Sequence, residues 1–142
     1  MVGMLLTAAG AVRLGSDVLL GSRRLRGARV GVVCNHASVD HAFRHIVDRL
    51  AESGDVRLAA IFGPQHGFRS DVQDNMVETP HREDASRRVP VCSLYSETRE
   101  PTADMLRDVE VLVIDLQPRM LARADAIRAS LRRRGWRDAG ES

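Results

Sequence analysis

The chain has 142 residues, 44% apolar but only 4% aromatic, which is enough for one compact domain on an aliphatic core and too little for two ordinary ones. A charged fraction of 28% at that apolar content excludes both a low-hydrophobicity disordered chain and a membrane-spanning one. The net charge is +2, all 21 basic residues are arginine, and seven of them fall in 118–142 against three acidic residues, so a basic tail follows a mildly acidic body. Absence of lysine fits arginine-biased codon usage, and the charge by itself gives no nucleic-acid signal.

Met1 to Val12 is apolar, lacks a basic leader and is too short to cross a bilayer. It reads as an N-terminal extension over 1–14, and a cytoplasmic location is favoured. Arg29 to Asn35, RVGVVCN, is a β-branched run of the kind found in a strand buried on both faces. Ser38 and Asp40 are helix-capping residues, and Val39, Ala42, Phe43, Ile46, Val47 and Leu50 then recur at helical spacing up to Gly54, which predicts an amphipathic helix. Val56 to Phe62 is a second buried strand, stopped by Gly63-Pro64-Gln65-His66-Gly67. Phe68 to Arg88 is polar, without period, and longer than most connections, which marks a functional loop. Val89 to Tyr95 is the third strand. Thr102, after Pro101, suits the start of a short helical ADMLRD turn, and Val109 to Leu116 is the fourth strand. Beyond Gln117, Leu121, Ala124, Ile127 and Leu131 keep helical spacing while Arg132 to Arg134 and the last residues read as a frayed end. Its narrow apolar stripe predicts weak docking on the sheet, with removal of 118–142 lowering stability but leaving ligand affinity alone.

This order predicts an α/β fold, a Rossmann-like open parallel sheet of about four strands with flanking helices and right-handed crossovers, over 15–117. Cys34 and Cys92 sit in apolar runs without CxxC spacing, so they read as buried thiols in a reducing compartment. In open parallel sheets, ligands bind outside the carboxyl ends of the strands. Those ends carry Asn35 and His36, then Gln65 and His66, then Tyr95 and Glu97, then Asp115 and Gln117. The set would line one rim as a small-molecule site, or else merely cap strand ends. Glycine-rich nucleotide loops, GxSxG, HExxH and paired CxxC are all absent, which argues against nucleotide binding, serine hydrolysis and zinc proteolysis. His36, His41 and His45 invite a metal, but without a carboxylate to complete the set, solvated surface histidines are the simpler reading.

Four segments, GVVCNHASVD, AIFGPQHGFRSDVQDN, VPVCSLYSETREPTADML and VEVLVIDLQ, resemble in order and spacing the DUF1343 family, the bacterial exo-β-N-acetylmuramidases of the NamZ type. The resemblance runs from about Gly15 to Gln117, and FGPxHG, SLYxxT and DxQ are its specific elements. It implies glycoside hydrolysis in peptidoglycan recycling, a Rossmann-like N-terminal domain facing a second domain across a sugar cleft, and neither metal nor organic cofactor. Carried over position by position, it places Gln65 where well-studied members resemble FGPEHG with a catalytic glutamate. An amide cannot serve as that acid. FGPQHG followed by Asp71 to Pro80 also resembles a subgroup. Ser96 stands where the family has glycine, and the stretch after Gln117 matches nothing in it.

Glycoside hydrolysis generally needs two carboxyl groups across the scissile bond. With Gln65 in the acid's place, His66, Asp71 and Glu97 are the remaining catalytic candidates, and Asn35, Arg69 and Asp115 the candidates for binding sugar. Glu97 paired with Arg99, or Asp71 with Arg69, would equally be weak surface contacts. The expected partner is a small muropeptide sugar, not nucleic acid or membrane. The expected chain is a truncated N-terminal part of a muramidase-like enzyme without turnover of its own, with a second domain missing. A sugar-binding module without catalysis and a non-functional gene fragment are the competing readings.

Overall fold

The structure, a computed structural model, describes residues 13–63, 82–84, 87–94, 99–116 and 121–138. Helix α1 spans Gly15–Gly21, strand β1 Arg29–Cys34, helix α2 Ile46–Glu52 and strand β2 Arg57–Gly63. Strands β3, β4 and β5 follow at Arg82–Asp84, Val89–Ser93 and Val111–Asp115, and helix α3 at Leu121–Arg133. The sheet order is β3-β4-β2-β1-β5. Four strands pair in parallel, and the three-residue β3 adds an antiparallel edge against β4. The expected Rossmann-like α/β fold is therefore present, with β3 lying inside the stretch from Phe68 to Arg88 read as a functional loop.

Period two along β1 explains why its sequence is a continuous apolar run. Val30, Val32 and Cys34 face one core, with Ile61, Val91 and Val113 against Ile46, Val47 and Leu50. Val33 faces the other, with Phe62, Cys92, Leu94, Ile127 and Leu131. Strands covered on both faces have no polar side to alternate with. Cys34 and Cys92 are thiols buried one in each core, as expected, and burial pushes the Cys92 thiol up from its ordinary range.

Gly31 shares the Phe62 face, and a Cβ built there would stand 3.0 Å from Leu112 Cδ1 and from Val109 Cγ1 and 3.1 Å from a Phe62 ring carbon. Gly31→Ala should lower unfolding stability by about 1–3 kcal/mol, the usual range for overpacking a filled core, read by urea denaturation; an unchanged midpoint would mean that β5 yields at this point.

Three local expectations are corrected. The helix predicted from Val39 to Gly54 begins only at Ile46, because the residues before it form a small hairpin. Val39 bridges antiparallel to His45, and Phe43, placed on the apolar face by periodicity, is 85% exposed with φ +59°. The ADMLRD segment is a run of turns, not an α-helix. Thr102 still acts at its start, where its Oγ1 accepts from Met105 N at 3.3 Å. The tail does not fray at Arg132 to Arg134. Gly135 takes φ +89° and donates to Arg132 O, while Trp136 N donates to Leu131 O, both at 3.0 Å. That bond pair is a Schellman closure, which favours glycine at the left-handed position. Trp136 folds back onto the core containing Leu131. Helix α1 was not anticipated at all, since its seven residues GSDVLLG are too few to show a period.

Candidate functional site

Chain direction reverses around β1: the path runs outward through β2 and β4, then returns to place β5 on the opposite side of β1. The carboxyl ends of β1 and β5 are thus the switch point, where open α/β sheets form their ligand crevice. The parallel register sets Cys34 beside Asp115, so the two sequence-predicted residues Asn35 and Asp115 lie on the two lips of this crevice. Gln65, His66, Arg69, Asp71, Tyr95 and Glu97 lie outside the described residues.

Ser38 joins the lips. Its hydroxyl donates to the Asp115 carbonyl at 2.6 Å and accepts from Asn35 N–H at 3.0 Å. Asn35 Oδ1 accepts from Ala37 N–H at 3.0 Å. His45 closes the network from the start of α2. Its Nδ1 accepts from Val47 N–H at 3.2 Å, capping the helix, which leaves Nε2–H to donate to the Asn35 carbonyl at 2.7 Å. Asn35, Ser38 and His45 are all buried, and among the described residues no buried side-chain nitrogen or oxygen lacks a partner. His45 is thus a buried helix cap, not the solvated surface histidine expected from its spacing with His41. His36 and His41 are exposed. Among the described residues no three His, Cys, Asp or Glu side chains are grouped to hold a metal, and no helix is long and apolar enough to cross a membrane.

Asp115 shares with Val111 and Val113 the face that carries α1 and α2. Burial pushes its carboxyl above the usual range, and His45 and Arg49 nearby pull against that. Arg49 is itself half-buried and holds the layer together, reaching Asp17 Oδ1 at 2.7 Å, Ser16 Oγ at 3.2 Å and Asp40 Oδ2 at 3.5 Å. Asp40 Oδ1 accepts from Ala42 and Arg44 N–H, both at 2.9 Å. The Arg44 amide foremost, then the Ala42 amide and the Arg49 and Arg44 charges, hold the Asp40 carboxyl below its ordinary value. Sequence reasoning missed Ser38, His45 and Arg49 as site supports. The Asn-x-x-Ser spacing directly after a strand was a usable signal, because short polar side chains there bond back to the turn.

On this face a cavity of about 630 Å³ runs beside β5, lined by Ser16, Arg24, Leu25, Ser38, Val113 and Asp115 among others. Its size is that of small-molecule clefts. A second hollow of about 520 Å³ flanks β5 on the α3 side, between Leu112, Ile114, Arg128 and Trp136. Helix α3 reaches the rim at β4, where Arg123 donates to the carbonyls of Leu94 at 2.6 Å and Arg99 at 2.9 Å.

The family profile described as exo-β-N-acetylmuramidase NamZ, N-terminal, matches residues 30–118. Peptidoglycan β-N-acetylmuramidase NamZ of Bacillus subtilis strain 168 is 41% identical over 108 residues, covering 75% of this chain and 26% of that protein. Among solved structures, a DUF1343 family protein of Bacteroides fragilis superposes with TM-score 0.61 at 41% identity, over 71% of this chain and 25% of its own. A second DUF1343 protein of the same organism gives TM-score 0.53 at 25% identity, over 72% and 25%. The chain spans about a quarter of the length of these relatives. With the profile covering β1 through β5 and the switch-point crevice between them, the chain belongs to the NamZ family, as a match to its N-terminal domain.

Proposed function

We propose that the chain binds a peptidoglycan-derived sugar, of the N-acetylmuramic acid class, in the crevice between β1 and β5, and does not hydrolyse it unaided. The observation that supports the reading is the placing of Asp115 beside Cys34, the residue before Asn35, across the switch point, with Ser38 tying the Asn35 amide N–H to the Asp115 carbonyl. The cavity there is lined by the Asp115 carboxyl with Ser16, Ser38 and Arg24, a mixture of acceptors and donors of the kind that hydroxyl and acetamido groups need. Arg69 would add a cation for the sugar's carboxylate, and His66, Asp71 and Glu97 would surround the glycosidic bond. Gln65 occupies the position of the family's glutamate and has no carboxyl proton to deliver, so the two-carboxylate arrangement of glycosidases is incomplete at that point. In this reading a further domain, for which the longer relatives have room, supplies the opposite wall of the cleft. No cofactor, nucleic acid or membrane takes part.

The test measures binding and turnover on the same preparation. N-acetylmuramic acid should titrate the parent chain, and a muropeptide incubated with it should release no free N-acetylmuramic acid above blank. Absence of binding would sink the sugar reading, and release above blank would sink the claim about turnover.

A further inference from the structure

The two edges of the sheet are built differently. Edge strand β3 is three residues long and reads Arg-Glu-Asp, short and charged in the way that keeps natural edges from pairing. At the other edge β5 is the five-residue run VLVID, in continuous register with β1 and free of proline, lysine and bulge. Among the described residues no strand lies beyond it. Glu110 N–H donates to Arg29 O at 2.8 Å. Backbone groups alternate sides along a strand, so Leu112 and Ile114 turn theirs toward β1 while Val111 and Val113 present N–H and C=O at the outer edge. Both faces beside that edge are hollow as well. The cavity of about 630 Å³ lies on the α1 side and the hollow of about 520 Å³ on the α3 side, and Val111, Leu112, Ile114 and Leu116 line both. These four residues are half-buried, so apolar surface accompanies the open ladder on each face.

We propose that β5 pairs antiparallel with β5 of a second copy of this chain, about a two-fold axis at Val113, so that one sheet runs through both copies. An added strand sends successive side chains to opposite faces, and this edge asks for apolar residues on each. The copy's β5 meets that demand, with Val111 and Val113 for the α1 side and Leu112 and Ile114 for the α3 side. A two-fold contact brings the same patch from each copy together, so charge decides whether a copy is admissible. With Val113 on the axis, Asp115 stands across from Val111 and Glu110 from Leu116, and no acidic residue of the strand faces another. The rim of the α3 hollow is balanced too, carrying Arg128, Arg132 and Arg137 with Glu110, Asp125 and Asp138. A partner of one net sign gains nothing from such a rim, whereas a copy carries both signs to set against it. The contact uses the edge of the strand, and the inference goes beyond the sugar reading and stands without it.

The test is sedimentation of the full chain, without sugar, from micromolar to millimolar concentration. The parent should pass from monomer to dimer across that range. Val111→Pro deletes an outward N–H at the first residue of the strand, a position where proline is tolerated. The two-fold axis removes that bond twice, so the dimer should weaken about thirtyfold. Val111→Thr keeps the N–H and suits a strand, and should stay within about threefold of the parent. A parent that remains monomeric, or a Val111→Pro dimer as tight as the parent's, overturns the proposal. Should the proline variant not fold, amide hydrogen exchange in the parent gives the answer. Protection of the Val111 and Val113 amides that rises with protein concentration upholds the pairing. Protection independent of concentration would assign the edge to a segment of the same chain, and no protection would leave the edge unpaired; either overturns the proposal.

Discussion

Ile127→Ala should lower unfolding stability by about 3 kcal/mol, within the 2–5 kcal/mol that truncating a buried isoleucine usually costs. Ile127 is 1% exposed and packs with Val33, Phe62, Leu131 and Trp136, on the sheet face that no other helix among the described residues covers. Docking is reinforced at both ends of α3. Arg123 binds the Leu94 and Arg99 carbonyls, and Arg134 NH1 donates to Pro101 O at 2.6 Å. Those two arginines are eleven residues apart, about three helical turns, and so lie on one face. By contrast, Arg128 and Arg132 pair with Asp138 on the surface, where such pairs contribute little. Urea denaturation of the alanine variant is the measurement, and a parent-like midpoint would show that α3 is not docked in solution. The docking also alters one expectation. The stripe of Leu121, Ala124, Ile127 and Leu131 implied a tail irrelevant to ligand affinity, but the hold of Arg123 on Leu94 ties the tail to the carboxyl end of β4.

Asp115→Asn should weaken N-acetylmuramic acid binding by about ten- to a hundredfold, the loss typical of a hydrogen bond to a charged group, and yet stabilise the free chain at neutral pH. The sign follows from burial. A carboxyl whose folded proton affinity is raised binds its proton more tightly folded than unfolded. Its stabilising contribution is then complete below the unfolded value, near 3.9, and is lost as pH rises through the folded one. The uncharged amide escapes that loss at pH 7. Asp40 and Glu110, held low chiefly by the backbone amides of Arg44 and Arg29 respectively, behave oppositely, and their contribution disappears as pH falls. Thermal unfolding of parent and Asp115→Asn at pH 7 and pH 3 measures the difference, which should narrow at the lower pH. A variant less stable than the parent at pH 7 would show that His45 and Arg49 outweigh the burial of the carboxyl.

The four parallel strands could be read from sequence because each is buried on both faces, so RVGVVC, RLAAIFG, VPVCS and VLVID are apolar runs whatever their neighbours. Their order along the chain with polar carboxyl ends was enough to name Asn35 and Asp115 as rim residues. Sheet order was not legible. Which strand lies beside β1 depends on crossover paths and on the close contact that Gly31 permits, and only that placement turns two strand ends into one crevice. Periodicity failed at Phe43, where it saw an apolar residue at helical spacing. It could not register Asp40 collecting the Ala42 and Arg44 amides, which makes a hairpin locally better bonded than another helical turn. His45 was likewise invisible as a buried cap, since an imidazole's role depends on what lies against each nitrogen. The tail's helix and its docking on the sheet were legible from the spacing of Ile127 and Leu131, whereas the hold of Arg123 and Arg134 on the Leu94, Arg99 and Pro101 carbonyls was decided by tertiary structure, because an apolar stripe specifies that it be covered and not which polar groups will fix it.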